Sequence, residues 1–394
     1  MRIGICSEPT GTLGGTEVSV AVLADALSRR HDVEIVHHRK TLTVAELAKF
    51  SGTNLGGVKL RFVAPPGPAP HESRMPWKRL ADARRRQEEL SSPYDAFIMV
   101  GHGVPPFCHA KRGVLICMFP TVIPIHRAGR TGFSPRAWAA SWYSRLEWRK
   151  RMATYSSVVG NSTFTSRWIE ARWGVKAGVV YPPCTMTAVN IPKEPLILSV
   201  GRFSTKGHTK SQLDMAGAFG TMGVNDWSLT FAGSVGDDPE EAAYLKAVQA
   251  ACTGSSGVLT NLSRDEISEL YGRASIYWHG AGFCNTERVP DHYEHFGMTT
   301  VEAMSAGCVP LVFDGGGQPE IVEHGVSGFV WRTLDELGDF TRRLTSDPAL
   351  LNQMSRAARI RSRRYSHEAW VSGVTNLVEA TAAQGQTLAA EARA

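Results

Sequence analysis

The residues of this sequence best suited to chemistry form a block of carboxylates and glycine near position 300. Glu294 and Glu302 stand eight positions apart in Glu-His-Phe-Gly-Met-Thr-Thr-Val-Glu. Gly297 permits a tight turn, so the N–H groups of residues 297–299 can face a phosphate at the start of the next helix. Glu302 lies inside that helix and can accept hydrogen bonds from a ribose diol, while Glu294 stays in the loop before it. The block therefore predicts a site for a phosphorylated sugar or nucleotide.

A second group of candidates consists of cations that follow a β-rich run ending at Gly201. Arg202, Lys206 and Lys210 all stand within ten residues of that end. Open α/β sheets bind ligands just past the carboxyl ends of their strands. Fixed cations at that place suit a diphosphate, because they neutralise the charge that develops as it leaves. Each cation alone would be an ordinary solvated side chain, so the prediction depends on the group.

A third candidate is the glycine pair in Leu-Gly-Gly-Thr-Glu, which follows the first predicted strand and opens a helix. Gly14, Gly15 and Thr16 can bring backbone N–H groups close to an anion, and the helix start adds a partial positive charge. The sequence is neither Gly-x-Gly-x-x-Gly nor a Walker P-loop, which argues against dinucleotide and ATP sites. Many strand–helix turns contain two glycines for steric reasons only, so the pair is a weak signal on its own.

The elements that must position these residues are short apolar strands alternating with helices. The first half predicts a helix at Glu17–Arg30 and strands at Arg2–Ser7, Asp32–His38, Val58–Ala64, Tyr94–Val100, Gly113–Phe119 and Ser156–Gly160. The second half predicts strands at Pro195–Gly201, Trp227–Gly233, Gly257–Thr260, Ser275–His279, Val309–Phe313 and Gly328–Trp331, and helices at 210–220, 239–251, 263–273, 298–306, 317–324 and 334–346. This alternation is typical of parallel sheets covered on both faces. Four prolines between 182 and 195 break regular structure. We therefore expect domains at 1–187 and 188–365, followed by a helical segment at 366–394.

Composition and charge restrict the class of protein. The chain has 394 residues, a length that suits two or three domains, and 43% of them are hydrophobic, as in a folded globular protein. Residues 1–190 carry 26 Lys and Arg against 13 Asp and Glu, whereas the remainder carries 17 against 24. A basic half joined to an acidic half indicates two domains with different partners. Seven scattered cysteines without a Cys-x-x-Cys pair, and an N-terminus without a signal peptide, predict a reduced cytoplasmic protein.

Together the motifs resemble the retaining GT-B glycosyltransferases of family 4. The resemblance is carried, in the family's order, by Gly-Gly-Thr-Glu at 14–17, Asn-Ser-Thr at 161–163 before a helix, Gly-Arg-Phe at 201–203, Glu-x7-Glu at 294–302, and the stretch from Gly316 to Phe329. The segments around Cys117–Thr121, Trp278–Gly280 and Glu294–Gly297 look most like mannosyltransferases that extend lipid-linked oligosaccharides, and their bacterial relatives.

The resemblance implies an α/β fold of two Rossmann-like, doubly wound parallel-sheet domains facing across a cleft. It implies that the C-terminal domain binds a nucleotide sugar, that the N-terminal domain binds the acceptor, and that no metal or other cofactor is needed. Glu302 would then bind the ribose and Glu294 the donor sugar, while Arg202 and one lysine hold the diphosphate. Backbone amides at Gly14, Gly15, Thr16, Phe296, Gly297 and Met298 would assist. The final helical segment is expected to cross back to the N-terminal domain.

Two departures from the family pattern leave residue choices open. The family has one lysine after the arginine, and here Lys206 and Lys210 compete; Lys210 aligns better with relatives that contain Gly-His-x-Lys. Relatives often place a histidine where this chain has Met118. Its role is absent here or taken by another histidine, for which His102, in Gly-His-Gly, is the first choice ahead of His109 and His126.

We therefore expect a metal-independent transfer of a hexose from GDP-mannose or a UDP-sugar to a glycan, lipid-linked or natural-product acceptor. Proton transfer to the donor's own phosphate is expected, and a double displacement through Glu294 is the rival chemistry. A catalytically silent sugar-nucleotide-binding protein and a GT-B epimerase remain alternatives. The basic, tryptophan-containing segments Arg74–Arg86 and Trp138–Arg151 suggest contact with an anionic membrane at its inner face, or simply a helix packed on its own domain. No nucleic-acid-binding module is recognisable.

Overall fold

The computed structural model describes residues 1–8, 14–64, 87–122, 145–187, 191–205, 209–285 and 288–379. These residues form two compact units. The first holds the described residues up to Tyr181 together with those from Trp370 onward, and the second runs from Pro182 to Ala369. Lys206, His126, the segment Arg74–Arg86 and residues 138–144 lie outside the described residues.

The first unit is built on a seven-stranded parallel sheet. Its strands are β1 (Arg2–Ser7), β2 (Asp32–His37), β3 (Val58–Phe62), β4 (Ala96–Gly101), β5 (Arg112–Cys117), β6 (Ser157–Gly160) and β7 (Gly178–Val179). They are arranged β3-β2-β1-β4-β5-β6-β7. Helices in this part of the chain are Gly15–Ser28, Val44–Ser51 and Thr163–Trp173, and residues 87–91 and 145–152 are also helical. Helices on both faces explain why all six residues of β4 are buried.

The second unit repeats the arrangement with a six-stranded parallel sheet. Its strands are β8 (Glu194–Val200), β9 (Ser228–Gly233), β10 (Ser256–Thr260), β11 (Ala274–His279), β12 (Val309–Phe313) and β13 (Phe329–Trp331), in the order β10-β9-β8-β11-β12-β13. Its helices are Gln212–Thr221, Pro239–Ala251, Arg264–Arg273, Met298–Ser305, Gln318–Ile321, Leu334–Ser346 and Pro348–Ser362, with 3₁₀ turns at Pro290–His292 and Arg363–Tyr365. Both sheets therefore have the doubly wound strand order predicted for an α/β protein.

Local sequence signals account for several helix starts. The Ser162 side chain accepts a hydrogen bond from the Thr165 amide at 3.0 Å, and the hydroxyl of Ser263 forms a reciprocal capping box with Glu266. In the helix Leu334–Ser346, Leu337, Thr341 and Leu344 are fully buried, which is the spacing of one helical face. Caps and periodicity together fix where these helices begin and which side they bury.

The last described helix, His367–Glu379, begins in the second unit and continues in the first. Its residues Trp370, Val374 and Val378 lie four positions apart and belong to the hydrophobic core of the first unit. The Glu379 carboxylate lies 2.9 Å from His31 Nε2 at the end of this helix. The first unit is therefore completed by residues almost 200 positions beyond its last strand.

The predicted strands are present, most with ends shifted by one or two residues. The structure adds the two-residue strand β7 and the helix Val44–Ser51, which carried no clear pattern. In the basic, tryptophan-containing segment, Trp148 is 4% exposed and packs against Trp173 with ring centroids 4.7 Å apart. The described part of that segment is therefore a helix packed on its own unit.

Candidate functional site

In the second sheet the strand order reverses between β8 and β11, which are neighbours in the sheet but not in the chain. In doubly wound sheets, ligands bind at the carboxyl ends of such a strand pair, because the following loops diverge and leave a crevice. Gly201 and Arg202 follow β8, and Gly280 follows β11. The Arg202 side chain is exposed at this edge.

Lys210 and Glu294 meet at this edge in an ion pair between Nζ and Oε2. The side chains of both are 19% exposed, so the pair is only partly open to solvent. The lysine stem passes directly over Gly201, where an added Cβ would lie 2.7 Å from Lys210 Cγ. The glycine of the predicted Gly-Arg-Phe motif therefore provides the space that lets Lys210 reach the carboxylate.

His279, the last residue of β11, is the second partner of Glu294. Its Nε2 lies 3.2 Å from Glu294 Oε2, and the histidine is 2% exposed. Burial acts to raise the pKa of Glu294, but Lys210 and the hydrogen bond from His279 outweigh it and hold this pKa well below its usual range. Glu294 is therefore an ionised carboxylate that accepts hydrogen bonds.

The loop that carries Glu294 rests on the triglycine 315–317. An added Cβ at Gly316, whose φ is +66°, would lie 2.0 Å from the carbonyl oxygen of Glu294, and the Gly317 N–H donates to that oxygen at 2.8 Å. Gly297, at φ +123°, lies so close to Gln318 that a Cβ would come within 2.1 Å of Nε2. Glycine is required at both turns.

Glu302 lies in the helix Met298–Ser305, which begins directly after Gly297. Phe296 anchors the start of this helix. Phe296 is 3% exposed and packs edge-on against Tyr365. The Tyr271 hydroxyl donates to Glu302 Oε2 at 3.3 Å. Burial raises the pKa of Glu302 to about 7, against the opposing effects of Arg264 and this hydrogen bond. The two predicted glutamates thus have opposite electrostatic environments.

The equivalent edge of the first unit holds a carboxylate that the sequence analysis missed. Glu8 follows β1 and accepts hydrogen bonds from the amides of His102 (2.8 Å) and Gly103, which follow β4. His102 Nδ1 lies 3.8 Å from the same carboxylate. Added Cβ atoms at Gly101 and Gly103 would lie 2.5 and 2.6 Å from Glu8. The two glycines flanking His102 are therefore explained by Glu8.

In the first unit, backbone groups of Gly14 and Gly15 form hydrogen bonds with side chains of the helix that follows them. The Gly14 N–H donates to Glu17 Oε2 at 2.9 Å, which is the one half of a capping box that a glycine at the helix start can form. The Gly15 carbonyl accepts from the Ser19 hydroxyl at 3.0 Å, and Thr16 lies in the first turn. Within this structure, the Gly14 amide is therefore engaged by a carboxylate, the kind of group that an external anion would have to replace.

The structure thus brings together Lys210 and Glu294, with Arg202 and Glu302 in the same unit, while Gly14–Thr16 and His102 belong to the first unit. The His109 amide donates a hydrogen bond to Ser91 Oγ at 2.8 Å, also in the first unit. Lys206 and His126 lie outside the described residues. Sequence reasoning missed His279 as a partner of Glu294 and Gln318 as a partner of His279, since their signals were only a place at a strand end and a place at a helix start.

Three further properties of the described residues complete the picture. Among the described residues, no group of three or more His, Cys, Asp or Glu side chains is arranged to hold a metal ion. No helix in the described ranges has both the length and the apolar character needed to cross a bilayer. All seven cysteines are free thiols.

Comparison with known proteins identifies the two units. The sequence model described as Glycosyltransferase Family 4 matches residues 13–184, and that described as Glycosyl transferases group 1 matches residues 186–361. Sucrose synthase 5 of Arabidopsis thaliana is 40% identical over 72 residues, which are 17% of this chain and 9% of that protein. A Dictyostelium discoideum GDP-Man:Man(3)GlcNAc(2)-PP-Dol alpha-1,2-mannosyltransferase is 24% identical over 233 residues, 53% of this chain and 44% of that protein.

The chain therefore spans less than half the length of either curated relative. Among solved structures, Anabaena HepE in complex with UDP and glucose superposes with a TM-score of 0.65 at 15% identity, covering 97% of this chain and 100% of that one. This likeness shows that the fold is GT-B, as the resemblance implied. Because the two family matches cover most of the sequence in order, the protein belongs to the glycosyltransferases of family 4.

Proposed function

We propose that this protein is a metal-independent, retaining hexosyltransferase that uses a nucleotide-diphosphate sugar. The observation that carries the proposal is the partly buried cation–carboxylate pair Lys210–Glu294 at the switch point of the second sheet. A cation there can bind the diphosphate, and an ionised carboxylate beside it can accept hydrogen bonds from sugar hydroxyls. In this proposal Glu302, in the adjoining helix Met298–Ser305, accepts hydrogen bonds from the ribose hydroxyls of the nucleotide.

In the proposed reaction, the bond from the anomeric carbon to the β-phosphate oxygen breaks, and a bond to the acceptor oxygen forms on the same face. The acceptor's proton passes to the departing diphosphate, so no enzyme nucleophile is needed. Lys210 and Arg202 stabilise the charge that develops on the leaving group. Interactions of this kind accelerate the reaction because they are stronger in the transition state than in the bound substrate.

For the donor we propose GDP-mannose or a UDP-sugar. The Dictyostelium relative is named for GDP-Man, and the Anabaena structure contains UDP and glucose. For the acceptor we propose a glycan, a lipid-linked sugar or a natural product. The excess of basic residues in the first 190 positions supports an acceptor at an anionic membrane surface. Loss of binding to phosphatidylserine vesicles as salt increases would support that location, and equal sedimentation with and without vesicles would refute it.

The proposal is tested by incubating the protein with GDP-mannose, UDP-glucose, UDP-galactose and UDP-N-acetylglucosamine, with and without EDTA. Release of nucleoside diphosphate from one donor, unaffected by EDTA, and a product of retained anomeric configuration by NMR are expected. K210M should lower turnover about 10²- to 10³-fold, while K246M, which changes an exposed lysine on the helix Pro239–Ala251, should not. Binding without turnover would identify a silent sugar-nucleotide-binding protein, and a changed sugar on the nucleotide would identify an epimerase.

A further inference from the structure

The ion pair between Lys210 and Glu294 joins two groups that the proposed reaction uses separately. Lys210 is needed by the diphosphate, and Glu294 by the sugar. We propose that Glu294 holds Lys210 while no diphosphate is bound, and that His279 and Gln318 are positioning residues that keep the Glu294 carboxylate in place when Lys210 leaves it. This inference rests on the proposed function and concerns the same site.

Glu294 and a bound diphosphate compete for Lys210 because both carry negative charge. One ammonium group cannot be fully engaged with a carboxylate and with a diphosphate, and the pair is about four-fifths shielded from water, which strengthens its attraction. A nucleoside diphosphate without sugar must therefore separate Lys210 from Glu294 and leave the carboxylate with one partner fewer. Glu294 consequently lowers the affinity of the site for a free nucleoside diphosphate.

The partners that remain are rigid. His279 Nε2 lies 3.2 Å from Glu294 Oε2 and 3.4 Å from the Gln318 amide, whose other end lies 2.9 Å from Thr300 Oγ1. The three side chains of His279, Gln318 and Thr300 are at most 2% exposed. The Gln318 amide fills the space that a side chain at position 297 would occupy. The carboxylate is thus fixed from the side of the sheet, whereas Lys210 is attached through a flexible four-carbon stem.

The proton on His279 determines how the neighbouring Gln318 amide is oriented. His279 must carry its proton on Nε2 to donate to the ionised Glu294. The amide nitrogen of Gln318 would then face a second donor at 3.4 Å. A half-turn of the amide turns its oxygen to His279 and its nitrogen to Thr300 Oγ1, so that each end of the amide faces a group of the matching kind. In this arrangement the His279 proton is shared by Gln318 and Glu294, and the histidine is held as a donor.

A nucleotide sugar differs from a free nucleoside diphosphate in this scheme. Its hydroxyls replace Lys210 as donors to Glu294, so the lysine can move to the diphosphate without leaving the carboxylate short of partners. The site therefore discriminates in favour of the donor and against the spent nucleotide, and product release is assisted when Lys210 returns to Glu294.

The test compares E294Q with the wild-type chain by calorimetric titration of UDP and of GDP. E294Q retains the shape of the side chain but has no charge with which to hold Lys210, so its affinity for the nucleotide that the wild type binds should rise about 3- to 10-fold. Its turnover of the nucleotide sugar should fall at least about 100-fold. E269Q, which changes an exposed carboxylate on the helix Arg264–Arg273, should alter neither quantity.

The positioning role is tested at His279. H279F retains an aromatic ring without a donor and should lower kcat at least about 10-fold while the affinity for the nucleoside diphosphate stays within about 2-fold. H279Q places an amide N–H near the former Nε2 and should recover part of kcat, which a purely structural role would not produce.

Unchanged or weaker nucleotide binding by E294Q, or equal kcat values for H279F and H279Q, would overturn this inference alone if the wild type turns over a nucleotide sugar. A wild-type chain that binds no nucleotide and turns over no sugar would overturn the proposed function as well.

Discussion

Glu302 gives the strongest prediction about stability, because burial raises its pKa to about 7. The ordinary pKa of a glutamate is about 4.3. Between these two values the folded chain keeps a proton that the unfolded chain releases. Stability therefore falls as pH rises through this window and is constant above it. E302Q removes the titration and leaves a side chain of the same shape.

The magnitude follows from the part of the window that is measured. From pH 5.5 to pH 7 there are about 1.5 pH units, and each corresponds to about 1.4 kcal/mol, which gives a loss of about 2 kcal/mol. This value is an upper limit because the Glu302 side chain is not completely buried. For a unit of about 190 residues, it corresponds to about 4–8 °C in Tm.

Thermal unfolding of E302Q and wild type by calorimetry at pH 5.5 and pH 8.5 provides the measurement. The quantity to compare is the Tm of E302Q minus the Tm of wild type at each pH. This difference should be greater at pH 8.5 than at pH 5.5 by up to about 4–8 °C. Other titrating groups contribute equally to both proteins and cancel. E269Q, on an adjacent helix, serves as the control and should show no comparable change. An E302Q difference that is equal at both pH values, or larger at pH 5.5, would refute the argument.

Three substitutions elsewhere test the packing. G316A should lower stability by about 1–3 kcal/mol, because it adds a Cβ at φ +66° against the Glu294 carbonyl, and should also reduce nucleotide binding measured by calorimetry. G217A should instead raise stability by about 0.5–1 kcal/mol, because Gly217 lies exposed in the helix Gln212–Thr221 with open space around it; a lower Tm would contradict this. W370A should cost about 3–5 kcal/mol in urea unfolding, because Trp370 is 1% exposed in the first core, and a loss under 1 kcal/mol would show that the helix is dispensable.

The elements of the fold were largely predictable because buried parallel strands have a simple signature. Continuous apolar runs predicted β1 and β12 to the residue, and the helices predicted at 239–251 and 334–346 also have the predicted ends. The strand β7 has only two residues, which is too short for any periodicity to register. The helix Val44–Ser51 was missed although Thr43 caps it, since its eight residues make only about two turns, too few for a helical period to repeat.

From residue patterns alone the site was predictable only where a motif is contiguous, and the family resemblance alone implied that a lysine and Glu294 share one site. Glu294, Gly297 and Glu302 lie in one segment, so their spacing could be read directly. Lys210 meets Glu294 across 84 positions, and Gln318 meets His279 across 39. These pairings depend on which strands become neighbours in the sheet, and no local pattern in a single sequence encodes strand order.

The same holds for Glu8, which meets His102 and Gly103 across more than 90 positions. The glycines on either side of His102 were visible in the sequence, but the carboxylate that requires them was not. A glycine pair around a polar residue at a strand end is therefore a reason to search for a bulky partner on the neighbouring strand.

The helix His367–Glu379 has a consequence for how the protein is made. During synthesis, the strands of the first unit leave the ribosome long before Trp370, Val374 and Val378, which fill part of its core. The apolar surface that these three residues cover must stay open while the whole second unit is translated. We expect the nascent first unit to be the stage at which chaperones bind and proteases cut, and a gene fragment ending at Tyr181 to yield an aggregating product.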